Sequence, residues 1–170
     1  MNVPTPETIA TRNPRPTLGA RLLDSHHRFP DGVTVSGSGP LPERVLQFGE
    51  GNFLRAFVDW MIEKMNVRGL FQGRAVVVQP IAAGMADALN AQQGLYTVVL
   101  RGIERGEVRE TREIVSSVSR CLNPYADFGS LIECAKNPDL RFVVSNTTEA
   151  GIRTDPEDRL DARPDRKSVV

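Results

Sequence analysis

The chain has 170 residues, 40% of them hydrophobic, with 21 basic and 21 acidic side chains. This length suffices for one domain with a sizeable core, and the balanced charge provides no global field that would recruit nucleic acid or an anionic membrane. No apolar run approaches the length of a membrane span and the N-terminus lacks the apolar core of a signal peptide, so a cytoplasmic location is expected.

Residues 1–40 are predicted to form a Pro- and Gly-rich extension. Seven of the twelve prolines precede Glu43, together with several glycines. This density is incompatible with a continuous helix or a central strand. We therefore expect the extension to be partly disordered.

The cysteines and histidines form no recognisable metal or catalytic pattern. Cys121 and Cys134 lack CxxC spacing and are expected to be reduced structural thiols. His26 and His27 lie in a polar segment and are expected to be exposed loop residues. No metal site is predicted.

The run VLQFGEGNFLRAF, residues 45–57, is typical of a strand, a tight glycine turn and the start of a helix. In such a turn Gly49 lets the chain reverse, and Gly51 leaves room for an anion at the N–H groups that begin the helix. This arrangement binds the pyrophosphate of a dinucleotide. Leu54 replaces the third glycine of the GxGxxG pattern, which weakens the pattern when it is taken alone.

Two further residues of this run bear on phosphate binding. Asn52 is the expected N-cap, and Arg55 is a cation in the first turn, where it faces the positive end of the helix dipole. A bound phosphate would remove that conflict. The alternative is an ordinary strand-to-helix turn with Arg55 as a solvated surface charge.

The first strand is predicted at residues 44–48, and a helix is predicted from Asn52 to about Met65. The polar residues Asp59, Glu63 and Lys64 are expected on its outer face. The residues at helical spacing that are expected to form its core face are Phe53, Leu54, Phe57, Val58, Met61, Ile62 and Met65.

The apolar run at residues 75–78 predicts a second buried strand, which closes a βαβ unit. The predicted strand is followed by Gln79 and Pro80. At this position an NAD-binding fold usually has an acidic residue that binds the adenosine ribose. Gln79 can still hydrogen-bond ribose hydroxyls, and no Arg or Lys lies between Pro80 and Arg101 to hold a 2′-phosphate, so NAD is favoured over NADP. Alternatively, Gln79 is simply a polar strand end.

The remaining segments complete the predicted fold. Residues 95–100 and 108–118 are expected to form an inserted β-hairpin, residues 125–135 a helix, and residues 140–144 another strand. We predict an α/β fold, a Rossmann-like doubly wound parallel sheet with an inserted hairpin.

The polar segment that follows the last strand is expected to line the nicotinamide side of the site. It contains Ser145, Asn146, Thr147 and Thr148, with Glu149 nearby; its alternative is a plain connection. No catalytic residue is assigned. The predicted cofactor-binding residues are Val45, Leu46, Gln47, Phe48, Gly49, Glu50, Gly51, Asn52, Phe53, Leu54, Arg55, Ala56, Gln79, Asn146, Thr147 and Thr148.

Four phrases of the sequence resemble the long-chain mannitol dehydrogenase family: LPERVLQFGEGNFLRAFVDWMIEKMN, AVVVQPI, GLYTVVLRGIERGEV and NPDLRFVVSNTTEAGI. Together they cover roughly residues 41–163. The resemblance implies NAD-linked interconversion of D-altronate and D-tagaturonate in hexuronate breakdown, with a small sugar acid as the partner. It also implies that a second, mostly helical domain supplies the catalytic lysine with its asparagine and histidine neighbours.

The expected organisation is therefore an extension at 1–40, an NAD-binding domain at 41–164 that is truncated before the helical domain, and a tail at 165–170. The tail reads DRKSVV, the translation of a common sequencing-adapter string, and is expected to be non-native; a real frameshift or a natural short form is the alternative. The chain is expected to be inactive alone.

Other functions stay open at this point. A mannitol- or fructuronate-type polyol dehydrogenase of the same family and a non-catalytic nucleotide-binding fragment are the main alternatives. A methyltransferase-like domain fits less well, because Gln79 would serve its cofactor ribose poorly. The sequence leaves the oligomeric state open.

Overall fold

The structure is a computed structural model that describes residues 18–19, 28–35 and 40–147. Helical and extended segments alternate through most of this range. In chain order the elements are β1 (Val33–Val35), β2 (Glu43–Phe48), α1 (Asn52–Leu54), a π-helical segment (Arg55–Asp59), α2 (Trp60–Val67), β3 (Arg74–Val78), α3 (Ala86–Ala91), β4 (Tyr96–Glu104), β5 (Glu107–Val115), β6 (Val118–Leu122), α4 (Phe128–Ala135) and β7 (Phe142–Ser145).

Four strands form a parallel sheet in the order β6-β3-β2-β7. Taking β2 as the first strand of the unit, this is the 3-2-1-4 order of a Rossmann fold. The β-branched residues of β3 are buried on both faces because helices cover both faces. Val76 and Val78 pack towards Cys134 of α4, whereas Val77 packs towards α3. The predicted doubly wound fold and its two inner strands are confirmed.

A second sheet has the order β1-β5-β4. Its β4–β5 pair is the predicted hairpin, and both residues of its tight turn, Arg105 and Gly106, have positive φ angles of 54° and 84°. That backbone conformation matches the twist of a two-residue hairpin turn. The predicted continuous strand 108–118 is wrong: β5 ends at Val115, and β6 begins at Val118 in the other sheet.

The strand β1 corrects the expectation that the first strand is at residues 44–48. It pairs in parallel with β5 at the edge of the second sheet, with Val33 opposite Arg112. Because β1 is an edge strand, its presence is consistent with the prediction that this segment holds no central strand. Most of the predicted extension, with His26 and His27, lies outside the described residues.

The helix that follows the glycine turn differs from the predicted regular helix, because residues 55–59 are π-helical. Two backbone carbonyls of this segment accept bonds from side chains of other elements: Arg55 O from the Tyr96 hydroxyl at 2.8 Å, and Asp59 O from the Ser117 hydroxyl at 2.7 Å. A π-helical turn adds a residue and so changes which side chains face the sheet.

The predicted faces of this helix are therefore partly wrong. Phe53 and Phe57 are 60% and 53% exposed and stack on each other, and Met61 is also exposed. Asp59 and Glu63, expected in solvent, are 0% and 1% exposed. Leu54 and Ile62 are buried as predicted, and Val58 and Met65 pack at the core.

The polar residues on the buried face have specific partners. Glu63 accepts bonds from the backbone N–H of Ser116 at 3.0 Å and from its hydroxyl at 3.1 Å. Asn66 donates to the Gly73 carbonyl at 2.7 Å and accepts from the Gly73 N–H at 3.1 Å. Buried polar groups are tolerated when they are paired in this way.

The last helix and the thiols agree with most of the sequence-based expectations. Helix α4 begins at Phe128 rather than residue 125, because Asp127 caps it by accepting a bond from the Ser130 N–H at 3.2 Å. Cys121 and Cys134 are free and buried, as expected, and burial raises the pKa of the Cys121 thiol to about 12. The helices in the described part of the chain are all too short or too polar to span a membrane.

Candidate functional site

The candidate site lies at the carboxyl ends of β2 and β7, where the order of the parallel strands reverses. Phe48 at the end of β2 is in register with Ser145 at the end of β7. The glycine turn and the segment after β7 therefore lie at the same edge of the sheet. Open α/β sheets bind ligands in the crevice at such a switch point.

Gly49 makes the sharp turn at the end of β2. Its φ angle is +121°, and its N–H donates to the Val78 carbonyl of β3 at 2.9 Å. A Cβ at this position would also come within 3.0 Å of Leu54 Cδ1. Gly49 is thus required by the backbone conformation and by close packing.

Gly51 has a different role. Its φ angle of −66° is available to any residue, so it is not a position of backbone strain. Apart from its immediate chain neighbours, no described residue has an atom within 4 Å of where its Cβ would be. Gly51 keeps the surface at the start of the helix open, which is the space that a pyrophosphate group would require.

The N-cap of the helix is Gly51, and not Asn52 as predicted. No side chain in the described part of the chain caps this end of the helix. The Asn52 Oδ1 atom instead accepts a bond from Arg55 Nη2 at 2.7 Å. The first N–H groups of a helix have no partner within the helix, so an anion placed here could bind them.

Arg55 is held by the protein itself. Its Nε donates to the Glu50 carbonyl at 2.8 Å, and its guanidinium lies 5.3 Å from the centroid of the Tyr96 ring. With the Asn52 contact, these interactions relieve the expected conflict between a cation and the helix dipole without a phosphate. Arg55 therefore stabilises the glycine turn through its hydrogen bond to the Glu50 carbonyl. Its contact with phosphate stays a prediction.

Gln79 is only 2% exposed, and both ends of its amide are engaged. Its Nε2 donates to the carbonyls of Ile81 and Ala82 at 2.7 and 3.1 Å, and its Oε1 accepts from the Ala86 N–H at 3.0 Å. Gln79 therefore shapes the loop that connects β3 to α3. A ribose contact through this amide would compete with these bonds and stays a prediction.

That loop also lies against the glycine turn. A Cβ on Gly84 would clash with Glu50 Oε1 and with Gln79 Cδ. Glu50 is itself buried. The close approach of Gly84 joins the turn after β2 and the loop after β3 into one packed surface.

The other predicted residues fall into three groups. Val45 and Leu46 are buried on opposite faces of β2, and Phe48 packs at the core on the α4 side. Phe53 and Ala56 are exposed at the start of the helix. Of the positions predicted to line the nicotinamide side, Ser145, Asn146 and Thr147 are exposed, and Thr148 and Glu149 lie outside the described residues.

Gln47, a predicted cofactor-binding residue, is fully buried and pairs with Asp59, which is not among the predicted site residues. Gln47 Nε2 donates to both the Gly49 carbonyl, at 3.2 Å, and Asp59 Oδ2, at 3.1 Å. Burial raises the pKa of Asp59 to about 7, although hydrogen bonds from Gln47 and Tyr96 and the nearby Arg55 charge act in the opposite direction. Burial also raises the pKa of Tyr96. The helical pattern placed Asp59 in solvent and contained no signal for this contact.

Comparison with known proteins identifies the family. A family model described as the mannitol dehydrogenase Rossmann domain matches residues 43–165. The chain belongs to this family. The match begins at β2, so the family's domain contains the glycine turn, the inserted hairpin and β7.

Curated relatives of the chain are altronate oxidoreductases. The protein from Bacteroides thetaiotaomicron is 53% identical over 123 residues, which are 72% of this chain and 26% of the relative. That from Bacillus subtilis is 46% identical over 125 residues, covering 74% of this chain and 26% of the relative. The chain thus spans about a quarter of the length of these relatives.

Two solved structures share the fold. Mannitol 2-dehydrogenase from Pseudomonas fluorescens, in a ternary complex with NAD and D-mannitol, aligns with a TM-score of 0.69 at 19% identity, over 79% of this chain and 27% of that chain. A substrate-free D-sorbitol dehydrogenase aligns with a TM-score of 0.68 at 20% identity, over 79% and 28% of the two chains.

Proposed function

We propose that this chain is the nucleotide-binding part of an NAD-dependent altronate oxidoreductase, also called tagaturonate reductase. The observation that carries the proposal is the open glycine turn at the switch point of the sheet, in a chain 53% identical to an altronate oxidoreductase over this region. The nucleotide-binding domain would comprise residues 41–164. The activity would interconvert D-altronate and D-tagaturonate in the cytoplasm.

The residues present fit a dinucleotide. Gly51 leaves open space at an uncapped helix start, so the N–H groups of residues 51–53 would bind the pyrophosphate. Arg55 would hold the turn and add positive charge beside it. Asn146 and Thr147 would line the nicotinamide side. The cofactor supplies the hydride chemistry, and these residues bind and orient it.

Discrimination between NAD and NADP would lie in the loop after β3. Gln79 and Pro80 follow the strand, and no Arg or Lys occurs between them and Arg101 to bind a 2′-phosphate. The buried Gln79 amide fixes the shape of this loop through Ile81, Ala82 and Ala86. We therefore expect NAD to bind more tightly than NADP.

A polyol dehydrogenase is the second candidate, because the solved structures that share the fold act on mannitol and sorbitol by their descriptions. The higher identity to altronate oxidoreductases, 46–53% against 19–20%, supports the sugar acid as substrate. The two candidates differ in whether the substrate carries a carboxylate.

Calorimetric titration of the chain with NAD and NADP tests the binding proposal. NAD should bind, and Gly51→Val should abolish binding by filling the pyrophosphate space. Gly102→Val is the matched control, since Gly102 lies on β4 of the hairpin and its Cβ would also face open space. Equal NAD binding by both variants would contradict the proposed site. Turnover of altronate against mannitol by a full-length relative then separates the two candidate substrates.

A further inference from the structure

The first helix buries a carboxyl group that the proposed cofactor contacts do not use. Asp59 is fully buried, and its Oδ2 accepts a bond from Gln47 Nε2. The same Nε2 group donates to the carbonyl of Gly49. Gln47 therefore links the buried carboxyl to the residue that makes the dinucleotide turn.

Two oxygen atoms of this pair, Asp59 Oδ1 and Gln47 Oε1, are buried without a hydrogen-bond partner in the described part of the chain. An ionised carboxylate and an amide oxygen are both acceptors, so neither can satisfy the other. Exchanging the amide atoms of Gln47 does not help, because its oxygen would then face the carbonyl of Gly49 and Asp59 Oδ2. A proton on Asp59 Oδ1 turns one of the lone acceptors into a donor.

The neighbouring groups do not supply the missing donor. The Tyr96 hydroxyl of β4 faces the Asp59 carboxyl group, and a hydrogen bond from it lowers the pKa of Asp59. That hydroxyl has a single proton, however, and its 2.8 Å bond is to the Arg55 carbonyl. The Ser117 hydroxyl donates to the Asp59 carbonyl. Arg55, the cation on the same helix, directs its Nε to the Glu50 carbonyl. From β2 the facing group is the neutral Gln47.

We propose that Asp59 is a positioning residue, protonated in the folded protein, whose carboxyl group forms a reciprocal acid–amide pair with Gln47 and so holds the Gly49 turn in its binding conformation. In this pair Gln47 Nε2 donates to Oδ2, and the Asp59 hydroxyl donates to Gln47 Oε1. Loss of the proton removes that donor and leaves a carboxylate that competes with the Gly49 carbonyl for Gln47 Nε2, which releases Gln47 from the turn. The role of the turn rests on the proposed function; the protonation of Asp59 does not.

Burial supports this protonation, because it raises the pKa of Asp59 to about 7. The paired state is therefore present below neutral pH and is lost as the pH rises through that value. Asp59→Asn keeps the shape and can replace the hydroxyl by an N–H donor, so it should retain the pair at every pH.

The first experiment measures the proton without any cofactor. Aspartates of the intact chain are labelled with ¹³C at the side-chain carboxyl and titrated by NMR between about pH 5 and pH 9. One aspartate should titrate with a midpoint near 7, and Asp59→Asn should remove that signal. Selective labelling of aspartate excludes Glu63, whose pKa burial also raises. Ionisation of every aspartate throughout this range would overturn the proposal.

The second experiment measures the coupling to the turn. The Gly49 amide signal should shift with the same midpoint as Asp59 in the wild type and should not titrate in Asp59→Asn. NAD affinity should fall by about threefold or more across the same range in the wild type, and stay constant in Asp59→Asn. A merely structural Asp59 would change affinity equally at every pH.

The control is Asp139→Asn, which changes an exposed aspartate. In this variant the Asp59 and Gly49 signals should titrate as they do in the wild type. A Gly49 signal that does not follow Asp59 would refute the positioning role. If the wild type binds no NAD, the proposed function fails, while the Asp59 and Gly49 titrations still decide this proposal. Both titrations are made on the wild type, so they decide it even if Asp59→Asn does not fold.

Discussion

Leu54 lies directly over Gly49, so that a Cβ at residue 49 would come within 3.0 Å of Leu54 Cδ1. Leu54 stands where a third glycine is expected, and it is buried. The helix is therefore packed against the turn by a side chain instead of by close backbone contact. The glycine turn and the core beneath it form one unit in this chain.

This contact predicts opposite outcomes for the two glycines. Gly49→Ala should lower the free energy of unfolding by about 1–3 kcal/mol, because it forces an L side chain into a left-handed conformation and against Leu54. Gly51→Ala should leave it nearly unchanged, since its φ is −66° and its Cβ faces open space. Urea unfolding measures both. Equal losses of unfolding free energy in the two variants would contradict the different backbone conformations and packing described for Gly49 and Gly51.

Arg55→Ala should weaken NAD binding by about 1–3 kcal/mol, because it removes both the hydrogen bond to the Glu50 carbonyl and a positive charge beside the proposed pyrophosphate site. Calorimetry at fixed salt measures the loss. The control is Arg101→Ala, which removes an exposed hairpin cation paired with Glu110. Unchanged NAD affinity in Arg55→Ala would remove Arg55 from the site.

Asp59 should make stability depend on pH in one direction. Its pKa is raised from 3.8 to about 7 in the folded state, so the unfolded chain releases the proton first as the pH rises. Stability relative to Asp59→Asn should therefore be highest below about pH 4, fall as the pH rises towards 7, and level off above it. At 1.36 kcal/mol per pKa unit the total change is about 4 kcal/mol.

Chemical unfolding of the wild type and Asp59→Asn at a series of pH values measures this difference. Titrations of the other groups are shared by the two proteins and largely cancel. A difference that stays constant with pH would mean that Asp59 has the same pKa in the folded and unfolded states.

Glu63→Ala should destabilise the fold by about 2–4 kcal/mol, because it leaves the buried N–H and hydroxyl of Ser116 without their acceptor. Glu104→Ala breaks the exposed pair with Arg109 and should cost less than about 1 kcal/mol. Thermal unfolding of both variants measures the contrast. A small loss in Glu63→Ala would show that water replaces the carboxylate at Ser116.

The sequence predicted the parts of the fold that depend on local pattern. The apolar run at residues 75–78 has one stable placement, a strand covered on both faces, and Gly49 has a positive φ as a tight turn requires. The faces of the first helix were predicted less well, because the period of 3.6 residues does not hold through a π-helical segment. The hydrogen-bond partners of Asp59 and Glu63 lie 12 and 53 residues away, where local periodicity contains no information.

In the candidate site too, some features were predictable from local sequence and others were not. The position of the turn follows from its glycines, whereas the partners of Arg55 and Gln79 depend on how the chain folds back. Arg55 contacts the Tyr96 ring from the hairpin, and Gln79 bonds the start of α3. A pattern of residue types identifies where a ligand site lies better than it identifies which side chains are free to bind.

The π-helical segment also constrains how this region can change in evolution. Residues 55–59 place Asp59 against Gln47 and, one turn later, Glu63 against Ser116. Removing one residue there would restore ordinary helical hydrogen bonding and rotate every later side chain of the helix by about 100°. Substitutions can therefore accumulate on its exposed face, but insertions and deletions between Gly49 and Asn66 should be absent from functional relatives.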